Sequence, residues 1–460
     1  MKHYDAVVIG SGQAGTPLSR KLAQSGKKTA LIERRFAGGT CVNDGCSPTK
    51  AMISSAKAAW VARNSSKLGV SASDIKIDFK TIRDRKDEIV KSMRGSLEKG
   101  FEGTENLEVI YGDAHFSGEK EITISLNDGG SEVISGELIF INTGLSPAIP
   151  DIPGIQEIDY LTSTSILDID HIPEHLLILG SGYIGLEFGQ MFSRFGSKVT
   201  IIEPSGRIMK HEDEDIAAQI TKILAEESIE ALTNSEVTAF SRKGEKIEAT
   251  IKKQAQEHSF EYSHVLIATG RKPNTDRLSL DVAGVELDDK GFIVVNDSLE
   301  TSANGIYALG DVKGGMAFTH ISYDDYRIVA ANVIDKKQST ITGRQQPYCM
   351  FIDPQLGRIG MTEQDAREEG LEIDVYRIKN DSVARSIETG DTRGMMKAVV
   401  DKKSGKILGA AVLAEQGGEV VTILELAMMG GITFDKLRDG IFAHPTYAES
   451  LNNLFMSKPQ

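Results

Sequence analysis

Residues 4–15 read YDAVVIGSGQAG and residues 175–185 read HLLILGSGYIG. Each opens as a short apolar run with the pattern of a buried strand, then turns into Gly-Ser-Gly-x-x-Gly. The first copy supplies Gly10, Gly12 and Gly15, and the second Gly180, Gly182 and Gly185. A helix-like stretch follows in both, to Gly26 and to Gly196. A second apolar strand then closes on an acid: residues 28–32 on Glu33, and residues 198–202 on Glu203. The first glycine makes the turn, the second lets the backbone approach a pyrophosphate, and the third lets helix and strand pack closely. The phosphate then rests on the helix N-terminus. An acid about 20 residues further on accepts from a ribose hydroxyl. One such loop is weak evidence, because a tight turn explains it equally well. Two loops, each with its acid, are not explained that way. Both copies later reach an apolar strand that stops at Thr-Gly, IFINTG at Thr143-Gly144 and VLIATG at Thr269-Gly270. The expected class is α/β, with two doubly wound Rossmann-type nucleotide-binding domains, the second inserted after the first.

The rest of the chain fits that frame. At 460 residues it is too long for one ordinary core and suggests about three domains. A formal charge of −14 disfavours nucleic acid and anionic membrane surfaces as partners. No apolar run approaches the roughly 20 residues of a membrane span. The opening MKHYDAVVIG enters a strand almost at once, leaving no room for a signal peptide, so the expected location is cytoplasmic. In a reducing cytosol structural disulfides are rare, and the chain has 3 cysteines.

Two of those cysteines stand five apart in GGTCVNDGCSPTK, residues 38–50. On a regular helix, i and i+5 are separated by about 7.5 Å of rise and roughly 140° of rotation. A disulfide wants Cα atoms about 4.4–6.8 Å apart. If Cys41 and Cys46 bridge, the segment must be distorted, and Gly45 and Pro48 supply the means. A following helix over residues 48–63 would present its N-terminus to Cys46 and favour the thiolate. A metal site fits poorly, with two clustered sulfurs and no adjacent histidine. Two inert buried thiols are the bland alternative. Cys349 lies in an apolar run, residues 348–352, and reads as core.

Together with the two Gly loops, with Leu309-Gly310-Asp311 and with His444-Pro445-Thr446-Tyr447-Ala448-Glu449, this motif resembles the class I pyridine nucleotide-disulfide oxidoreductases. That family includes dihydrolipoamide dehydrogenase, glutathione reductase and mercuric reductase. DDYRIV at 324–329, IGMTE at 359–363, DTRGMMKAVVD at 391–401 and AESLNNLF at 448–455 resemble a mercuric-reductase-like branch, the bacterial reactive-chlorine resistance flavoproteins. The resemblance implies an FAD-binding domain in two segments, 1–150 and 271–341. It places an NAD(P)H-binding domain at 151–270 and a C-terminal α+β interface domain at 342–460.

The resemblance also assigns roles. FAD pyrophosphate would lie on Gly10, Gly12 and Gly15, with Glu33 on the ribose and Asp311 on the ribityl or phosphate region. Thr143, Gly144 and Gly310 would complete that site. Thr40 and Lys50 would sit at the isoalloxazine, Lys50 pairing with Glu187. Gly180, Gly182, Gly185 and Gly270 would hold the nicotinamide cofactor, and Tyr183 would cover its pocket. Cys46 would be the sulfur nearer the flavin and Cys41 the outer, interchange thiol. His444, oriented by Glu449, would manage its proton on the opposite subunit of a homodimer. Glu203 would accept from a free 2′-hydroxyl and repel a 2′-phosphate, and only Arg207 lies near, so NADH is favoured over NADPH. The acceptor is a small molecule of open identity. The chain ends NNLFMSKPQ without the C-terminal cysteine pair of mercuric reductase. Dihydrolipoamide dehydrogenase is one alternative, and a flavin-containing redox sensor or binding protein is another of a different class.

Overall fold

The doubly wound pattern is realised around two parallel sheets. A computed structural model of the chain describes residues 1–254 and 256–459 and divides into two units. The first unit gathers Met1–Ala51, Arg83–Ala148 and Gly270–Arg344. Its sheet runs in the parallel order Leu107–Gly118, Thr29–Glu33, Lys2–Ile9, Ser131–Ile141, Ile306–Ala308. Glu121–Leu126 pairs antiparallel with both Leu107–Gly118 and Ser131–Ile141. Thr29–Glu33 is buried at every position, as a central strand covered on both faces must be. The helix Gly15–Gln24 buries Leu18 and Leu22 against Ala6, Val8 and Leu31 of the sheet. The strand order steps outward in both directions from Lys2–Ile9. In such sheets ligands bind beyond the carboxyl ends of the strands at that reversal.

The second unit gathers Met52–Ile82, Ile149–Thr269 and Gln345–Gln460. Its parallel sheet has the order His264–Ile267, His175–Leu179, Lys198–Glu203, Glu230–Thr233. The helix Tyr183–Phe195 packs on it, and Phe79, Phe192 and Phe195 meet with ring centroids 5.9–6.3 Å apart. Three antiparallel strands, Ser235–Lys243, Lys246–Lys253 and Gln256–Tyr262, form a separate sheet that the sequence reading had not singled out. Alternation buries Val237, Phe240, Ile247, Ala249 and Ile251 on one face of it. From Tyr348 on, five antiparallel strands stack against the helices Gly417–Met429 and Ser450–Met456, the expected α+β arrangement.

One polar cluster ties the segments of this unit together. Trp60, the only tryptophan of the chain, lies between two guanidinium groups, Arg393 at 4.4 Å and Arg194 at 4.9 Å from the ring centroid. Arg194 grips Glu227 with two hydrogen bonds of 2.7 Å, and Asp353 pairs with Arg194 at 2.9 Å and Lys57 at 3.0 Å. Burial works against the Asp353 charge, but the surrounding Arg194, Lys57 and Arg393 hold its carboxyl below the usual range. Among the described residues no helix is long and apolar enough to cross a membrane.

Candidate active site

The carboxyl ends of the first unit's strands converge on the first Gly loop. Gly10 has φ +100°, and a Cβ there would lie 2.4 Å from the Asn142 carbonyl oxygen. A Cβ on Gly15 would lie 1.9 Å from the Gly10 oxygen, so the helix start is pressed against the strand end as the third glycine requires. Glu33 closes the loop from the next strand. Its Oε2 accepts from the Ser11 amide at 2.9 Å and the Ser11 hydroxyl at 2.6 Å, and its Oε1 from the Arg35 amide at 2.7 Å. A carboxylate accepts about four hydrogen bonds, which leaves a place for a ribose hydroxyl.

Asn142 was not a candidate in the sequence, yet it joins two parts of this site. Its Nδ2 donates to the Gly10 oxygen at 3.3 Å, and its Oδ1 would lie 2.9 Å from a Cβ on Gly310. The neighbouring Thr143 donates its hydroxyl to Asn274 O at 2.9 Å, and Asn274 N donates to Gly144 O at 3.0 Å. Asp311 follows Gly310. Burial pushes its carboxyl up, against Arg271 at 3.4 Å and Ser322 at 3.3 Å.

The cysteine motif abuts the same loop: a Cβ on Gly39 would lie 2.8 Å from the Gly12 Cα. The distortion expected of this segment is a break between two helices, Gly39–Asn43 and Cys46–Asn64, at Asp44 with φ −147°. The second helix starts at Cys46 itself, two residues before the expected position, so Pro48 lies within its first turn. No S–S bond joins Cys41 and Cys46; the Cys41 thiol hydrogen-bonds with Cys46. Cys41 is partly buried and Cys46 exposed. The contact with Cys46 and burial push the Cys41 thiol up and outweigh the downward pull of Thr319 and Lys50. Thr319, the first residue of the helix Thr319–Val333, donates its hydroxyl to Cys41 Sγ at 3.1 Å and lies 3.4 Å from Cys46 Sγ. Thr40 is exposed beside Cys41. These parts fit FAD: a turn whose three glycines carry no Cβ at the helix start, an acid with accepting capacity, and a dithiol against the same loop.

The second Gly loop in the other unit repeats the construction. A Cβ on Gly185 would lie 2.2 Å from the Gly180 oxygen, whereas one on Gly182 would meet nothing within 4 Å, leaving room for a pyrophosphate. Glu203 Oε2 accepts from the Ser181 amide at 3.3 Å and from its hydroxyl, and Oε1 accepts from the Ser205 amide at 2.9 Å and from the Ser205 hydroxyl. Burial opposes ionisation of Glu203, but these hydrogen bonds outweigh it and hold the carboxyl below its usual range. Arg207 is turned away, donating to the Lys210 oxygen at 3.1 Å and the Glu212 oxygen at 3.0 Å. Tyr183 is partly buried against the hydrophobic core as the first residue of its helix. Gly270 has φ +151°. Glu187 is buried in this unit and accepts from the Phe351 amide at 2.8 Å, while Lys50 belongs to the first unit.

His444 and Glu449 meet as expected, with Nδ1 2.9 Å and 3.0 Å from the two carboxylate oxygens. The Thr446 hydroxyl accepts from the Glu449 amide at 3.1 Å and donates to the Ala443 oxygen at 2.8 Å, which fixes the turn. The His444 side chain is 67% exposed, so Nε2 is the nitrogen available for proton transfer. Cys349 sits in the strand Tyr348–Met350, partly buried, with Sγ 3.9 Å from Gln355 Oε1.

Comparison with known proteins agrees with this construction. Residues 4–325 match the pyridine nucleotide-disulphide oxidoreductase family and residues 346–455 its dimerisation domain. The chain is 39% identical over 459 residues to the probable pyridine nucleotide-disulfide oxidoreductase RclA of Escherichia coli, covering 99% of each. It is 36% identical to a mercuric reductase of Staphylococcus aureus, covering 97% of this chain and 81% of that one. It is 31% identical to the dihydrolipoyl dehydrogenase of Geobacillus stearothermophilus, covering 97% and 94%. Among solved structures it resembles a Cu(II) complex of the HOCl-induced flavoprotein disulfide reductase RclA from E. coli. That match has a TM-score of 0.91 and 38% identity over 99% of each chain.

Proposed function

The chain belongs to the pyridine nucleotide-disulphide oxidoreductase family, and from that premise we propose a role for each part of its site. It is a flavoprotein enzyme that carries reducing equivalents from a nicotinamide cofactor to a redox disulfide and on to an oxidised acceptor. The disulfide is Cys41–Cys46. What carries this assignment is their placement: two sulfurs in hydrogen-bond contact, on a broken helix pressed against the first Gly loop.

Gly10, Gly12 and Gly15 hold the FAD pyrophosphate and Glu33 its ribose, with Thr143, Gly144, Gly310 and Asp311 along the molecule and Thr40 and Lys50 at its ring. Bound there, FAD supplies the two-electron link between the nicotinamide hydride and the disulfide. Gly180, Gly182, Gly185 and Gly270 hold the nicotinamide cofactor, and Tyr183 covers it. NADH is the preferred donor. An ionised Glu203 and an Arg207 already committed to two carbonyl oxygens favour a free 2′-hydroxyl over a 2′-phosphate.

Reduction breaks the S–S bond and leaves two electrons on the sulfurs, with Cys46 inner and Cys41 outer. With a disulfide acceptor, His444 Nε2 takes the Cys41 proton, the Cys41 thiolate attacks one sulfur, and the sulfur it expels takes that proton back from Nε2. Cys46 then attacks Cys41, restoring the enzyme disulfide and releasing the second thiol. Glu449 holds the imidazole in the tautomer this requires. His444 serves the disulfide of the opposite subunit, so the enzyme is a homodimer. The dimerisation-domain match and the exposed Leu426, Met429 and Ile441 support that reading. A soft metal ion is the second acceptor class, favoured by the similarity to mercuric reductases and by two sulfurs in contact with each other.

The test is turnover with NADH or NADPH against lipoamide, glutathione disulfide, Cu(II), Hg(II), a quinone and oxygen. Reduction of a disulfide or metal ion that disappears in Cys41→Ser supports the proposal. Turnover confined to quinone or oxygen and intact in Cys41→Ser refutes it.

A further inference from the structure

The two acids that close the Gly loops are not furnished alike. Among the described residues Glu33 accepts three hydrogen bonds, from the Ser11 amide, the Ser11 hydroxyl and the Arg35 amide. Glu203 accepts four, from the amide and hydroxyl of Ser181 and from the amide and hydroxyl of Ser205. A carboxylate has about four places to offer. The first acid therefore keeps one place open, while the second is filled by the protein itself. The difference lies two residues beyond the acid, where Arg35 lends its backbone amide and Ser205 adds a hydroxyl to its own.

The donors on Glu203 differ in what can move. Ser181 is buried in the Gly180-Ser181-Gly182 turn, 2% exposed. Ser205 is only partly buried, and its backbone is pinned on both sides. Its amide donates to Glu203 Oε1 at 2.9 Å, and its carbonyl oxygen accepts from the Asn234 amide at 2.9 Å. The hydroxyl is the part that can turn to another rotamer. We propose that, in the empty site, the Ser205 hydroxyl occupies the place on Glu203 that the adenosine ribose 2′-hydroxyl takes on binding, so that Ser205 weakens the hold on NADH and eases release of NAD⁺.

The exchange is one for one. Docking breaks the hydrogen bond from the Ser205 hydroxyl to Oε1 and forms one from the ribose 2′-hydroxyl to the same oxygen, with no proton transferred and Glu203 still ionised. An acid with an open place gains a whole hydrogen bond from its ligand, whereas a filled acid gains only the difference between two donors. That contrast suits the two ligands, a flavin that stays through every turnover and a nicotinamide nucleotide that leaves after each one. Once swung off the acid, the same hydroxyl can donate to a 2′-phosphate oxygen, so Ser205 narrows the gap between NADH and NADPH from both sides. The inference rests on the reading of Glu203 as the ribose acid of the nicotinamide site and adds the residue that tunes it.

The test titrates the oxidised holoenzyme with ADP-ribose and with 2′-phospho-ADP-ribose in a calorimeter. These probes carry the ribose and its phosphate without the nicotinamide, so no electrons move. Ser205→Ala should bind ADP-ribose roughly 2- to 12-fold tighter than the parent, the scale of one net hydrogen bond, and should bind 2′-phospho-ADP-ribose no tighter. Ser205→Thr keeps the hydroxyl and should bind both probes as the parent does. Unchanged or weaker binding of ADP-ribose in Ser205→Ala overturns the role of Ser205, as does an equal gain for both probes. Glu203→Gln tests the reading beneath it. If that variant binds ADP-ribose as well as the parent, the ribose-acid assignment falls and this inference with it; if it binds more weakly, a failure in Ser205→Ala concerns Ser205 alone.

Discussion

Replacing Glu203 with glutamine keeps the size of the side chain and removes its charge. In the parent, two backbone amides and two hydroxyls, from Ser181 and Ser205, converge on that carboxylate. The amides are fixed, but the hydroxyls rotate, so a ribose 2′-hydroxyl enters by displacing one of them. A hydrogen bond to a charged group contributes about 1.5–3 kcal/mol, which is roughly a 10- to 150-fold change in kcat/KM for NADH. For NADPH the sign reverses. Two unit charges about 4 Å apart repel by about 1 kcal/mol in water and about 4 kcal/mol near a protein surface. Relieving that repulsion should raise kcat/KM for NADPH by about fivefold or more, the lower end applying because Glu203 is half-buried and salt screens it. The NADH/NADPH selectivity should therefore shrink by at least about 50-fold, read from steady-state rates at constant acceptor and ionic strength. The pH dependence carries its own sign. The Glu203 carboxyl is held below its usual 4.5, so its contribution is present above that range and is lost only as pH falls through the depressed value. Glutamine should remove that acid limb. A parent enzyme that prefers NADPH, or a variant with unchanged selectivity, refutes the reasoning.

Other outcomes follow from the same geometry. Gly15→Ala should abolish FAD retention and yellow colour, because its Cβ would lie 1.9 Å from a backbone oxygen that cannot move aside. Cys41→Ser should show a long-wavelength thiolate–flavin absorption band without added reductant and Cys46→Ser should not; the opposite pattern exchanges the two sulfur roles. His444→Ala should leave flavin reduction by NADH nearly intact in stopped flow while transfer to a disulfide falls roughly 10²–10⁴-fold. Mixing His444→Ala with Cys41→Ser subunits should recover activity through heterodimers, and none despite demonstrated subunit exchange means that the dyad does not act across an interface.

The parts legible in the sequence were those whose physics is local. The strand His175–Leu179 falls where its apolar run lies, and both acids end their strands because alternation and turn chemistry are written within a few residues. The dyad was legible for the same reason, its two members being five residues apart. Asn142 and Thr319 were not. Each is a lone polar residue with no periodic signal, brought to its partner from a distance of 132 residues in one case and 273 in the other. The antiparallel sheet from Ser235 to Tyr262 escaped notice because its outer strand, Gln256–Tyr262, is exposed at all but its last position, so its apolar alternation is faint. The sequence places the start of the cysteine helix at about residue 48. It begins at Cys46, where the break at Asp44 frees the chain to turn sooner.

The helix Cys46–Asn64 also gives the protein a built-in optical tag. Cys46 opens it and Trp60 stands fourteen residues along, roughly 21 Å down the axis, held between two guanidinium groups. Because no other indole exists in the chain, intrinsic emission excited near 295 nm arises at that one place. Its wavelength and lifetime report the packing of a single ring against Arg194 and Arg393, without labelling. A chemical event at the sulfur end that twists or frays the rod is therefore readable as a change in light from its other end, on the timescale of the mixing device.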